Sequence, residues 1–243
     1  MVTRLKLLRE IRPTDDAETG FGRPVSLRER IYEILRKRIL TGEVPPGAII
    51  DEKALASAFN VSRTPVREAV KKLTDENLVE VKAQSRTFAK PIDRKHIHEA
   101  FLIRRALEIE SIGLAAERVT KDDLLRLEDI HMLHGLALQR RRFVEAIGLD
   151  DSFHRAISGI SDLPRLWQAI EVSKAHLDRC RYLTVPQPGQ GEATLVQHRA
   201  IIKALAQRNA ANARKAMADH LDKAYRGIVE FLDQDEAQQI KQV

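Results

Sequence analysis

The sequence predicts a mainly α-helical protein with one small β-ribbon in its first third. Three observations carry that reading. Only 5% of the 243 residues are aromatic, with 11 Gly and 9 Pro, a mixture that favours helices over a sheet-rich fold. Apolar residues recur at three- and four-residue steps through most of the chain. One stretch, residues 78–90, instead reads as two extended pieces around a turn.

Residues 1–24 end in PTDDAETGFGRP, rich in turn formers, and read as an arm or linker. From Ser26 the pattern is helical. Leu27, Ile31, Ile34, Leu35 and Ile39 share a face, and Gly42 follows as a stop. Val44-Pro45-Pro46-Gly47 reads as a turn. A short helix over 52–59 buries Leu55 and Phe59. Asn60 then breaks it, because Asn tolerates the left-handed conformation. Ser62 has the character of an N-cap, and Pro65 falls in the first turn of the next helix, where its missing N–H is tolerated. There Val66, Ala69, Val70 and Leu73 form the apolar stripe, with Arg63, Thr64, Arg67 and Lys71 on the other side. Residues 78–82 and 87–90 make a two-stranded ribbon around 83–86, and Pro91 closes the block. Beyond it the spacing predicts helices over 93–118, 121–139, 141–159, 163–183, 192–208 and 210–234, with one long break at TVPQPGQG, 184–191. The expected plan is an arm (1–24), a small helix-and-ribbon domain (25–91), an all-α antiparallel helical bundle (92–236) and a tail (237–243).

Composition removes several classes. With 43% hydrophobic and 31% charged residues the chain is globular, not disordered or fibrous. The single cysteine, Cys180, excludes an internal disulfide and a cysteine-ligated zinc or iron–sulfur site. No apolar run approaches the roughly 18 residues of a spanning helix. The first residues, MVTRLKLLREIR, lack the apolar core of a signal peptide. A cytoplasmic protein is therefore expected. The net charge of +6 is uneven. Residues 1–91 hold 18 Lys and Arg against 13 Asp and Glu, whereas the remainder holds 23 against 22. A local basic excess is the footprint of a polyanion-binding module, although a solvated basic face produces the same number.

The order of elements favours the first reading. Two short helices joined by a tight turn, then a ribbon, match the winged helix-turn-helix plan, whose second helix enters the DNA major groove. Arg63 and Arg67 lie one helical turn apart on one face, and Arg pairs bidentately with guanine. Ser62 and Thr64 supply hydroxyls for phosphate at the helix start.

The run PPGAIIDEKALASAFNVSRTPVREAVKKLTDENLV resembles the DNA-binding domain of the GntR family of bacterial transcription regulators, most specifically in NVSRTPVREAV. The resemblance implies a dimer on a palindromic operator, with Arg63 and Arg67 reading bases or phosphates, Ser62 and Thr64 holding the backbone, and Lys53 near phosphate. Two departures stand out. Asn77 occupies a position where the family usually has Gly, and the usual wing-tip Gly is absent near Arg86. Arg86 is expected to reach into the minor groove, where the negative potential attracts a guanidinium.

A second constellation lies in the helical part. In DDSFH, Asp150 and His154 stand four apart on one helical face, and His198 and His220 sit inside later helices. By spacing alone the pair is either a local ion pair or half of a metal site. The other five histidines, His96, His98, His131, His134 and His176, read as surface residues or satisfied core groups. Arg104-Arg105-Ala106-Leu107-Glu108, then Leu114-Ala115-Ala116, DDSFH and the two later histidines are similar to the C-terminal FCD domain of the FadR-like subgroup, over about 93–234. That resemblance implies a divalent ion held by Asp150, His154, His198 and His220, with Arg104 facing the carboxylate of a small organic acid effector. Three imidazoles and a carboxylate suit Zn, Ni, Mn or Fe. Where members carry an Asn run after this helix, the chain has Asp162-Leu163-Pro164-Arg165-Leu166, and a pocket contact is expected to be lost or shifted.

The function expected is an effector-responsive transcription repressor, not an enzyme. Two rivals remain at this point. One is a metal-dependent enzyme with an appended basic domain, against which stand the lack of a positioned general base and of a nucleophile motif. The other is a metal-free regulator that senses a larger apolar ligand.

Overall fold

The computed structural model describes residues 26–82 and 86–240. The arm expected over 1–24 and the ribbon turn at 83–85 lie outside the described residues. The chain divides into two compact units, one ending at Ile92 and the other beginning at Asp93.

The first unit holds α1 (Leu27–Leu40), β1 (Ile49–Ile50), α2 (Glu52–Ala58), α3 (Arg63–Asp75), β2 (Val79–Lys82) and β3 (Arg86–Ala89). Ser26 caps α1 by accepting from the Glu29 N–H, and Asp51 caps α2 by accepting from Lys53 and Ala54. Asn60 and Asn77 both adopt positive φ, 53° and 61°. Each ends its helix with a Schellman-type bond, Val61 N–H to Ala56 C=O and Leu78 N–H to Leu73 C=O. Asn77 therefore does the job of the usual Gly at small cost, because a short amide side chain tolerates this region. Ile31, Leu35, Ile39, Leu55, Val66 and Leu73 bury the helical faces against one another. Tyr32 and Arg36 of α1 both donate to Glu76 just past α3, tying the two helices together.

The sheet differs from the expected ribbon in two ways. It has three antiparallel strands in the order β1-β3-β2, because Ile49 and Ile50 pair with Phe88 and Thr87. Arg86 is also not in the turn: it opens β3, opposite Lys82.

The second unit holds α4 (Arg94–Arg118), α5 (Lys121–Gln139), α6 (Phe143–Ile160), α7 (Pro164–Ser173), α8 (Ala175–Thr184), α9 (Gln190–Ala206) and α10 (Ala210–Ile240). Thr120 opens α5 with a capping box, exchanging bonds with Asp123. Helices α4 and α10 pack together, α5 lies against α6, and α9 bridges α5 and α10. Ile112, Leu127, Phe153, Ile157, Ile201 and Leu221 fill the space between them.

Three boundaries depart from expectation. The helix predicted over 163–183 is two helices, broken at Lys174, whose ψ of 0° interrupts the run. The predicted long break shrinks, because α9 starts at Gln190 after the left-handed Gly189. Helix α10 continues to Ile240, past the predicted end at 234 and into the stretch read as tail. Asp162, at positive φ of 61°, is exposed and makes the turn between α6 and α7. It is not among the cavity-lining residues described below.

Candidate metal centre and nucleic-acid interface

The first unit presents its predicted DNA-facing residues to solvent. Lys53, Ser62, Arg63, Thr64, Arg67 and Arg86 are all exposed. Ser62 is the N-cap of α3, yet its side chain makes no capping bond. Its hydroxyl and the first N–H groups of α3 are therefore not paired with each other, and both suit an incoming phosphate. Arg67 Nε lies 3.7 Å from Glu52 Oε2, while Glu52 Oε1 accepts from the Thr87 hydroxyl at 2.9 Å. Glu52 thus links α2, α3 and β3, and holds Arg67 on the exposed face. Sequence reading overlooked Glu52, because 15 positions separate the pair and only the packing of α2 on α3 brings them together.

The second unit gathers its site from three helices. Asp150 and His154 come from α6, His198 from α9 and His220 from α10, and one ligand atom of each lies within 4.8 Å of the others. His154 Nε2 and His220 Nε2 are 3.2 Å apart, His198 Nε2 is 3.3 Å from Asp150 Oδ1, and His154 Nε2 is 3.8 Å from Asp150 Oδ2. Ligands at about 2.0–2.2 Å from one ion stand roughly 3–3.5 Å from their neighbours, so most of these separations suit a shared cation. All four residues are buried. Burial holds His198 down to about 4, against the pull of Asp150, and drives His220 well below the usual imidazole value. Both rings are therefore neutral and able to ligate. Burial would raise the Asp150 carboxyl, but Arg181 and His198 hold it well below the usual range.

A supporting layer surrounds the four donors. His220 Nδ1 donates to Gln197 Oε1 at 2.8 Å, which leaves the lone pair on Nε2. Glu108 Oε2 lies 2.5 Å from His154 Nδ1. Burial would raise the Glu108 carboxyl, yet Arg104 and His154 bring it to about 2. Arg181 donates to Asp150 Oδ2 (2.6 Å), Asp151 Oδ1 (2.7 Å) and Asp178 Oδ1 (2.8 Å). Lys174, at the break between α7 and α8, is drawn inward to Asp151 and Asp178. His198 makes no hydrogen bond through either ring nitrogen, although it is fully buried. A buried orphan nitrogen beside a carboxylate is what a metal ligand looks like without its ion, so the donor set fits a divalent cation.

A cavity of about 70 Å³ adjoins these groups, with Arg104, His134, Asp150, Arg181 and His220 on its wall. Arg104 is buried, gives its Nε to Glu108 Oε1, and has no partner for Nη2. The five remaining histidines do not share one fate. His98 is exposed, beside Tyr225. His96 stacks on buried His176 at 5.2 Å. His131 and His134 are buried and neither Nδ1 has a hydrogen-bond partner, so the reading of both as surface or satisfied core groups is corrected; the His134 ring also lines the cavity. Glu108, Gln197, Lys174, Asp178 and Arg181 were also missed. For the four charged residues the i,i+3 and i,i+4 spacings were visible, but such pairs usually decorate a solvated face, while Gln197 meets His220 across 23 positions and left no local signal.

Residues 27–89 match the model of the bacterial regulatory proteins of the gntR family, and residues 99–223 match the FCD domain. The chain is 32% identical over 204 residues to the HTH-type transcriptional repressor RspR of Escherichia coli K12, covering 84% of this chain and 90% of that protein. It is 33% identical over 197 residues to an uncharacterised HTH-type transcriptional regulator of Streptomyces ambofaciens, covering 80% and 81%. Among solved structures, Escherichia coli McbR/YncC superposes with a TM-score of 0.75 at 23% identity, covering 86% of this chain and 99% of that one. At that identity the likeness speaks for the fold alone. No helix among the described residues is long and apolar enough to cross a membrane.

Proposed function

Because the chain belongs to the gntR family of bacterial regulatory proteins and carries an FCD domain, it is a DNA-binding transcription regulator and not an enzyme, and we propose that it is a homodimeric cytoplasmic repressor whose hold on a palindromic operator is set by a small carboxylic acid bound at a divalent ion in the FCD domain. The RspR relative is described as a repressor, which supports repression as the direction of regulation here.

On the DNA side, Ser62, Thr64 and Lys53 bind phosphate, Arg63 and Arg67 read bases or phosphates in the major groove, and Arg86 enters the minor groove. On the effector side, Asp150, His154, His198 and His220 hold the ion. Bound there, the ion would supply a positive centre for a carboxylate oxygen. Arg104 Nη2 meets the acid's other oxygen.

The observation that carries this reading is the charge of the site. Glu108, Asp150, Asp151 and Asp178 face Arg104, Lys174 and Arg181, so four formal negative charges meet three positive ones once the imidazoles ligate, because an imidazole ligand is neutral. A divalent cation turns that residual negative charge positive, which suits an anionic ligand. The cavity of about 70 Å³ is small, which favours a short acid over a larger apolar ligand. Acid binding moves operator affinity only if it binds unequally to the operator-competent and incompetent states.

Elemental analysis of protein purified without chelator, followed by operator titration with and without short carboxylic acids, tests the reading. One divalent ion per chain and an acid-dependent operator affinity are expected, both lost in His154→Ala. Wild-type stoichiometry in that variant, or an operator affinity indifferent to every acid, refutes it.

A further inference from the structure

Helix α5 turns a row of apolar side chains outward. Leu125, Met132, Leu133 and Leu136 are all exposed, Leu125 by 61% and Met132 by 64%. Leu125, Met132 and Leu136 are spaced by seven and four positions, so they share one face. Helix α9 extends that face. It runs antiparallel to α5: a Cβ on Gly191 would meet Leu138, one on Gly135 would meet Leu195, and Arg199 reaches Glu128 at 4.0 Å. Val196, one turn before Arg199, therefore comes level with Met132, one turn after Glu128, and it is 72% exposed. Single exposed apolar residues are ordinary, but a contiguous set rimmed by charge marks a surface that another molecule covers.

The charges at the two ends of α5 select that molecule. Asp122 lies in the first turn, and the run Arg140-Arg141-Arg142 follows the last. Arg142 turns to Glu145 at 3.5 Å, and Arg141 stacks over Phe143 at 5.8 Å. Asp122 and Arg140 are exposed and have no ion-pair partner among the described residues. They are eighteen positions apart, which is five full helical turns, so both stand on the same side of the apolar row. Their midpoint is position 131, beside Met132, and the midpoint of Leu125 and Leu136 falls there too. Two copies of α5 laid antiparallel about a two-fold axis at that point bring each Asp122 against the other copy's Arg140, about 13 Å from the axis on either side. The same operation sets Leu125 on Leu136 and leaves Met132 and Val196 at the centre, an apolar middle within a charged rim. A helix with unpaired opposite charges at equal distances from an apolar centre is complementary to itself, which favours a second copy over an unrelated protein or a lipid surface. We propose that the outer face of α5, together with Val196 of α9, is where two copies of this chain pair antiparallel. The proposal rests on the homodimeric reading and says where the copies meet.

The test is equilibrium sedimentation of the full chain across the micromolar range, with a melting temperature recorded for each variant. Wild type is expected to be a dimer. Met132→Arg places like charges at the centre and should weaken pairing by about a hundredfold or more. Arg140→Glu and Asp122→Arg should each weaken it by about tenfold, since each contact occurs twice in the dimer. The double variant Asp122→Arg/Arg140→Glu restores opposite signs across the axis and should recover most of the loss. These charge reversals change no apolar residue, so they decide the question even if Met132→Arg lowers the melting temperature. A dimer that survives Met132→Arg, or single reversals that the double variant does not mend, would overturn this face and leave the homodimeric reading intact. A monomeric wild type would assign the face to another protein or a lipid surface, and would overturn both.

Discussion

The two units use the same residue types in opposite ways. In the first, the functional cations stand in water, with the Arg67 side chain 64% exposed. In the second they are enclosed, with Arg104 and Arg181 side chains only 8% and 10% exposed. An exposed arginine contributes little to folding and waits for a polyanion from outside. An enclosed one must be paired within the protein, so it is bound up with stability before it can serve a ligand. The contrast implies that substitutions in the first unit change affinity and leave the fold alone, whereas those in the second change both.

Arg181→Met presses hardest on this contrast. It leaves Asp150, Asp151 and Asp178 short of their shared cation, and breaking a buried network of this kind costs about 3–5 kcal/mol. Urea unfolding should show a large drop in midpoint, and a wild-type midpoint would mean that the enclosed charges are not stabilising. Acid provides a second route to the same unit. Folded His198 stays neutral down to about 4, while the unfolded chain takes up its proton near 6.5. Below about pH 6.5 the unfolded state therefore binds more protons, and stability falls with falling pH. For His198 alone the loss is on the order of 2 kcal/mol at pH 5 in metal-depleted protein. A flat melting temperature between pH 7 and 5 would contradict the buried neutral imidazole.

Smaller effects belong to the first unit. Arg63→Ala should weaken operator binding by about 1–3 kcal/mol without moving the unfolding midpoint. An altered midpoint would blur the distinction between the units. The smallest change is expected for Arg86→Gly, a modest loss of affinity together with a salt dependence reduced by about one unit in log–log slope. Unchanged affinity and slope would remove Arg86 from the interface.

Much of this was legible from spacing alone. Ser62 announced the start of α3, and Asn60 a left-handed turn, because caps and turns depend on residues within four positions of each other. Asp150 and His154 fell on one face of α6 for the same reason. The two-residue β1 was missed because its partners, Thr87 and Phe88, are nearly forty positions away and its own sequence carries no alternation. The helix predicted over 163–183 concealed the break at Lys174, since nothing local reveals that its ammonium is drawn inward to Asp151. His98 and His134 both read as ordinary helical histidines, yet one is exposed and the other lines the cavity.

Helical faces, caps, the basic recognition segment and the Asp150–His154 pair follow from the order of residues, because a helix returns to the same face every three or four positions, whereas His198 and His220 joined that pair only through the resemblance to the FCD domain. Which charged side chains are enclosed does not. His154 meets His220 across 66 positions, and Arg181 meets Asp150 across 31. Those distances close only when α6, α8 and α10 pack, and packing exchanges water for protein around each group. That exchange makes Arg181 a structural counter-charge, leaves Arg104 with a free amino group, and turns His134 from a surface residue into a cavity wall.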